Sequence, residues 1–137
     1  MNEIDQLLNE PILARMATAN PQSLQPHVVP VWYAWDGTSL WINTFRSTRK
    51  VRDLLKNPLI SVVVDRTGHS EGLGAIILEG KAEIIQGPRD FLEEKITWIY
   101  TRYLGTDGVL AAEPQSWIKD PEATLIKLTP TWTKSWK

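Results

Sequence analysis

The chain has 137 residues, 42% of them hydrophobic and 23% charged, which fits one globular domain (residues 1–137) and excludes disorder, collagen and coiled coil. It contains no cysteine, so disulfides, thiolate metal sites, iron–sulfur clusters and cysteine nucleophiles are excluded together. A net charge of −1 gives no global attraction for polyanions, and no apolar run approaches the roughly 20 residues that a membrane-spanning helix needs. The opening MNEIDQLLNEP carries three acids before any base and no secretory apolar region, so the cytoplasm is the expected location.

Asn2 to Asn9 reads as a short helix, with Ile4, Leu7 and Leu8 on one face and Pro11 ending it. Ile12 to Thr18 reads as a strand, followed by the polar turn Asn20 to Ser23. His27 to Ala34 is a second strand, in which Pro30 demands an edge position or a bulge. Asp36-Gly37 is a hairpin signal, and Ser39 to Asn43 is the returning strand. A helix is expected from Ser47 or Thr48 to Lys56, with Val51, Leu54 and Leu55 on one face and Asn57-Pro58 beyond it.

Leu59 to Asp65 is a β-branched strand, and Gly68 to Gly74 reads as a loop. Ala75 to Ile85 is a long strand whose Gly80 marks a bulge or a close backbone approach. The longest helix is expected over Arg89 to Leu104, with Leu92, Ile96, Ile99 and Tyr103 as its buried stripe and Gly105 at its end. Glu122 to Leu128 and Thr131 to Trp136 close the chain as strands. The order predicts an α+β, mainly β fold: a six- to seven-stranded antiparallel barrel with short flanking helices.

Charge is concentrated in one place. From Arg46 to Lys56 five bases face a single acid, Asp53, so this segment is +4 and the rest of the chain is −5. One compact basic spot on an acidic protein suits a small anion better than a long nucleic acid. The spot coincides with a helix start, where unpaired N–H groups and the helix dipole favour negative charge. Ser47, Thr48, Arg46, Arg49 and Lys50 together supply the donors that a terminal phosphate requires. The plain alternative is an N-cap with solvent-facing bases, but three cations at a helix start oppose the dipole. No glycine-rich phosphate loop is present.

The two histidines, His27 and His69, cannot build a histidine metal site, and a lone strand histidine is more often structural than catalytic. His69-Ser70-Glu71 contains triad residue types, yet three consecutive residues cannot converge as a triad does. No acid–base pair emerges from the sequence. Seven tryptophans remain to be placed, with Trp132 and Trp136 on the same side of the last strand. They suit a barrel core, a planar ligand or a dimer interface.

An ordered set of segments resembles a known family. Leu13 to Thr18, Pro26 to Trp32, the Asp36-Gly37 hairpin, Trp41 to Thr44, Ser47 to Leu54, Asn57-Pro58 with Ile60 to Val64, and Glu79 to Glu83 follow one another as in the flavin-binding split-barrel proteins related to pyridoxamine 5′-phosphate oxidase. That group includes a branch using the deazaflavin F420. The resemblance implies an oxidoreductase that moves a hydride to or from a small molecule, with FMN as the first expected cofactor and F420 as the second. It implies a homodimer with cofactor sites at the subunit interface. By position, His27, Val28, Val29, Pro30, Val31 and Trp32 would line the ring. Asn43 and Thr44 would bond the ring or ribityl chain, and Ser47, Arg49 and Lys50 would hold the phosphate. The basic, substrate-binding end of the oxidase is replaced by Thr131 to Lys137, so pyridoxamine phosphate is not the expected substrate. A non-catalytic carrier of flavin, haem or another tetrapyrrole is the competing reading. A single-stranded nucleic-acid module is disfavoured by the −5 outside the basic segment.

Overall fold

The structure is a computed structural model that describes residues 2–68 and 71–137. Its elements are α1 (Glu3–Leu8), β1 (Ala14–Ala19), β2 (Pro26–Val31), β3 (Tyr33–Trp35), β4 (Leu40–Phe45), α2 (Arg49–Lys56), β5 (Leu59–Asp65), β6 (Ala75–Ile85), α3 (Arg89–Gly108), α4 (Ala112–Ile118), β7 (Ala123–Leu128) and β8 (Trp132–Trp136). His69 and Ser70, with the middle of the loop expected there, lie outside the described residues. The strands pair antiparallel in the order β2-β1-β5-β6-β7-β4-β3, and β8 adds to β6. They form a curled half-barrel, α+β and mainly β.

The strand expected from His27 to Ala34 is divided at Trp32. Before it, β2 pairs with β1, with Val31 opposite Ala14; after it, β3 pairs with β4, with Tyr33 opposite Ile42. The chain changes partners at one residue, so the sheet curls and splits there. Pro30 sits where its missing N–H does least harm, because β2 ends the sheet order. The Asp36 carboxylate caps the β3–β4 turn, accepting from the Thr38 and Ser39 amides at 2.8 and 2.7 Å.

The half-barrel interior is filled by alternate residues of its strands. Leu40 and Ile42 of β4, Val62 and Val64 of β5, and Ile76 and Leu78 of β6 join Met16 and Tyr33 in one core. Helix α1 lays Leu7 and Leu8 on the same core, and its Asp5 accepts from Trp35 Nε1 at 2.7 Å. The opposite face of β4 carries Trp41 toward α3, where Leu92, Ile96, Ile99 and Tyr100 form a second core with Leu125 of β7. Lys95 of α3 lies 5.1 Å above the Trp41 ring and reinforces this contact.

Two glycines do what the sequence pattern requires. A Cβ on Gly80 would stand 3.1 Å from Leu128 Cδ1 and 3.2 Å from the Thr129 carbonyl, so β6 and the β7–β8 connection meet there. Gly105 has φ 82 and kinks α3, after which helical turns resume to Gly108. The sequence reading places no element over Ala112 to Ile118, yet α4 forms there. Pro114 falls in its first turn, where a proline is tolerated.

Candidate functional site

The break at Trp32 opens a cleft of about 430 Å³ between the strands and helices. Pro30, Val31, Trp32, Asn43, Thr44 and Lys50 all line it. Leu13, Phe45, Tyr100 and Trp117 complete its wall. The volume falls within the range of about 300–1,000 Å³ usual for small-molecule sites.

The aromatic side of the cleft is held rigidly. The Trp32 ring stacks on Tyr103, with centroids 4.7 Å apart and planes 6° from parallel. Tyr103 in turn accepts from the Tyr33 amide at 3.2 Å and donates to the Ile12 carbonyl at 2.9 Å. Arg102, its neighbour in sequence, donates to the Tyr33 carbonyl at 3.0 Å and to carbonyls at the end of α1. One turn of α3 therefore fixes the place where the sheet splits. Burial raises the pKa of Tyr103 above the usual tyrosine value.

The polar side centres on Asn43. Alternation along β4 puts it on the same face as Trp41, toward α3. Its Nδ2 donates to the Tyr100 hydroxyl at 2.9 Å, while its Oδ1 is buried without a partner among the described residues. Burial pushes the Tyr100 hydroxyl up to about 12, so it holds its proton through the neutral range. Trp32 and Trp117 both meet the Tyr100 ring edge-on, at 5.5 and 5.8 Å.

The basic end is built by the start of α2. Thr48 is the N-cap, but its hydroxyl donates to the Phe45 carbonyl at 2.9 Å and makes no capping bond. The first-turn N–H groups thus have no intrahelical partner and no side-chain cap. Lys50 projects from this turn into the cleft wall, half-buried and in no ion pair among the described residues. Burial lowers its pKa below the ordinary lysine value. A half-buried ammonium without a counter-ion is a donor awaiting an anion.

The other expected residues stand elsewhere. His27, Val28 and Val29 lie farther along β2, paired with Thr18, Ala17 and Met16 of β1, and not in the cleft wall. Arg49 is exposed and lies 3.7 Å from the buried Asp53 carboxylate, one helical turn on. Ser47 borders a separate depression with Thr48, Asp120 and Glu122, and its amide donates to Glu122 Oε1 at 3.1 Å. The loop before α2 therefore has a cationic side at Lys50 and an acidic side at Glu122. Leu13, Phe45 and Tyr100 were not among the residues expected at the site, and Trp117 was expected only as one of seven tryptophans suiting a core, a planar ligand or an interface. Tyr100 follows Ile96 by four residues, so helical spacing signals its burial but not its partner. Trp117 lies on α4, for which no element was expected.

The curled antiparallel half-barrel, split beside an aromatic cleft, defines a split-barrel protein. The chain belongs to the pyridoxamine 5′-phosphate oxidase family, whose pattern it matches over residues 1–137. It is similar to a conserved hypothetical protein from Mycobacterium tuberculosis, with 25% identity, TM-score 0.79, and coverage of 100% of this chain and 85% of that one. An F420 reductase matches with 25% identity and TM-score 0.74, over 95% of this chain and 94% of the reductase. A haem storage protein from Vibrio cholerae shares the fold at 16% identity and TM-score 0.72, over 96% and 91% of the two chains. None of the curated proteins matches the sequence. No helix among the described residues is long and apolar enough to cross a membrane.

Proposed function

We propose that the protein is an oxidoreductase using FMN or the deazaflavin F420, and that its cofactor occupies the cleft beside Trp32. The observation that carries this reading is that Lys50, half-buried and in no ion pair among the described residues, stands at the uncapped start of α2 and lines the same cleft as the aromatic wall of Trp32, Tyr100 and Trp117. A planar ring bearing a phosphate-ended chain needs that combination. The residues fit the group: Asn43 Oδ1, buried without a partner among the described residues, calls for a ligand donor, and Lys50 calls for a ligand anion. The cofactor, when bound, supplies hydride chemistry. Trp32, Trp117 and Leu13 exclude water and orient the ring; Lys50 and the first-turn amides of α2 anchor the phosphate, with Arg49 and Ser47 at its rim. An F420 relative and membership of the family support the same reading.

The working unit of this proposal is a homodimer that completes the site. Val28 on the edge strand β2 is 66% exposed, and Leu13 at the mouth is 41% exposed. Every residue of β8 is exposed, including Trp132 and Trp136. Apolar surface of this kind on edge strands invites a partner chain. His27, Val28 and Val29 would then reach the ring side at the subunit boundary. Deleting residues 131–137 should lower both dimer content by light scattering and cofactor retention; a monomeric wild type that still binds flavin tightly contradicts the dimer.

A non-catalytic tetrapyrrole carrier is the second reading, favoured by the likeness to the haem storage protein. Histidine and methionine, two common haem ligands, are not among the described residues lining the cleft. Titration with FMN and riboflavin tests the first reading. Loss of the phosphate should weaken binding by about 1.5–3 kcal/mol, the scale of hydrogen bonds to charged groups. Equal affinity for the two would move the cofactor phosphate away from Lys50.

A further inference from the structure

Leu24 is the one non-glycine residue among those described that holds a left-handed backbone, with φ 62. It ends the turn between β1 and β2, where its N–H donates to the Asn20 carbonyl at 2.9 Å. Asn20 Oδ1 accepts from the Gln22 and Ser23 amides at 2.9 and 3.1 Å and fixes the turn. Glycine suits the Leu24 position, and a leucine there is strained. Packing does not compensate, because Leu24 is 74% exposed. A strained side chain that the fold does not use points to a task at the surface.

The turn lies against the end of α2. Asn20 Nδ2 donates to Asp53 Oδ1 at 3.5 Å, and Asn57 Nδ2 donates to the Ala19 carbonyl at 3.2 Å. Pro26, Asn57 and Leu59 line one depression at this corner. Two more leucines stand out here, Leu55 at 62% and Leu59 at 58% exposure. Bases are set among them. Arg52, Leu55 and Lys56 are neighbours on the outer face of α2, and Lys81 is directly opposite Leu59 across the β5–β6 pair. Arg52, Lys56 and Lys81 are exposed and in no ion pair among the described residues. Asp53, the acid of α2, is buried, and the turn carries no acid. Glu79, two residues from Lys81, accepts from Ser61 Oγ at 3.1 Å.

We propose that this corner docks on an anionic lipid surface. Leu24, Leu55 and Leu59 enter the headgroup boundary, and Arg52, Lys56 and Lys81 meet lipid phosphates. Exposed apolar tips among unpaired bases, on a protein of net charge −1, call for apolar and anionic contact at one place. A nucleic acid would leave the three leucines unused. A protein partner fits less well, because lysine is depleted in protein interfaces and leucine is scarce among their hot spots. Lys50 lies on the other side of α2 from Arg52, Leu55 and Lys56, in the wall of the Trp32 cleft. Lipid and cofactor therefore do not compete for one cation.

The test is co-sedimentation of the full chain with two kinds of vesicle, phosphatidylcholine alone and an equimolar mixture of phosphatidylcholine and phosphatidylglycerol. The wild type should bind the anionic vesicles about ten-fold or more tighter, and the preference should shrink at high salt. The double variant Arg52→Gln with Lys56→Gln should lose about ten-fold of that binding. Leu24→Gly should lose about five-fold while keeping its fold by circular dichroism, because glycine suits the turn. Leu55→Ser, on an exposed helix face, should lose a similar amount. Equal wild-type binding to the two vesicles overturns the proposal, and so does binding to neither. Loss in the double variant with none in Leu24→Gly and Leu55→Ser also overturns it, and leaves the bases to an acidic protein or a nucleic acid.

Discussion

Replacing Tyr103 by Phe removes one oxygen from the centre of the structure and leaves the ring shape intact. The Trp32 stack, at 4.7 Å, should survive, so the change isolates two hydrogen bonds. The Tyr33 amide belongs to a residue with no exposed surface and loses its partner at 3.2 Å, which costs about 1–3 kcal/mol. The Ile12 carbonyl, on a half-buried residue, loses its donor at 2.9 Å but can turn to water, for about 1 kcal/mol. The sum is about 2–4 kcal/mol, or about 6–16 °C in Tm for a domain of this size. Urea unfolding followed by circular dichroism gives the number, with an unchanged slope required for a clean comparison. A loss below about 0.5 kcal/mol, the smallest usual worth of one hydrogen bond, would refute the claim that Tyr103 holds the split in place.

Three further outcomes are expected. Gly80→Ala should destabilise by about 1–3 kcal/mol in urea, since its Cβ would press on Leu128 and the Thr129 carbonyl; an unchanged midpoint contradicts the close approach. Lys50→Ala should weaken FMN by about 1.5–3 kcal/mol, whereas Glu122→Gln, which keeps an acceptor for the Ser47 amide but removes its charge, should tighten FMN by about 0.5–1 kcal/mol at low salt. Unchanged titrations for both would detach the α2 start from the phosphate. Stability should fall in alkali, because burial raises Tyr33, Tyr100 and Tyr103 above the ordinary value of about 10. The unfolded chain releases these protons first, so the stabilisation is intact below pH 10 and is lost toward about 12; a constant urea midpoint up to pH 11 contradicts it.

Most of the fold was legible because its strands carry alternation and strong punctuation. Pro30 announced an edge position or a bulge, Gly80 a bulge or a close approach, and Asp36-Gly37 a hairpin; the structure shows the edge position, the close approach and the hairpin. The break at Trp32 was invisible, since HVVPVWYA is uniformly strand-like and only the change of partner from β1 to β4 divides it. Helix α4 was missed because seven residues with an internal proline give little periodic signal. Pro30, Val31, Trp32, Asn43, Thr44 and Lys50, named from sequence, line one cleft, whereas Phe45 of β4 lines it without having been named and His27, Val28, Val29, Ser47 and Arg49 do not line it. The wall from α3 and α4 was not placed there: Tyr100 meets Asn43 across 57 positions of sequence, and spacing along one helix cannot reveal that contact. Ser47 shows the reverse limit. A hydroxyl beside three bases pointed to a phosphate, while Glu122, a distant acid brought close by β7, takes its amide.

The absorption spectrum of the purified, undenatured protein, with and without added FMN, F420 and haemin, tests the central claim most directly. The account predicts a flavin or deazaflavin band that stays with the protein through gel filtration and is bleached on reduction. A Soret band that persists on gel filtration, together with failure to retain FMN or F420, would contradict it and leave the cleft to a tetrapyrrole.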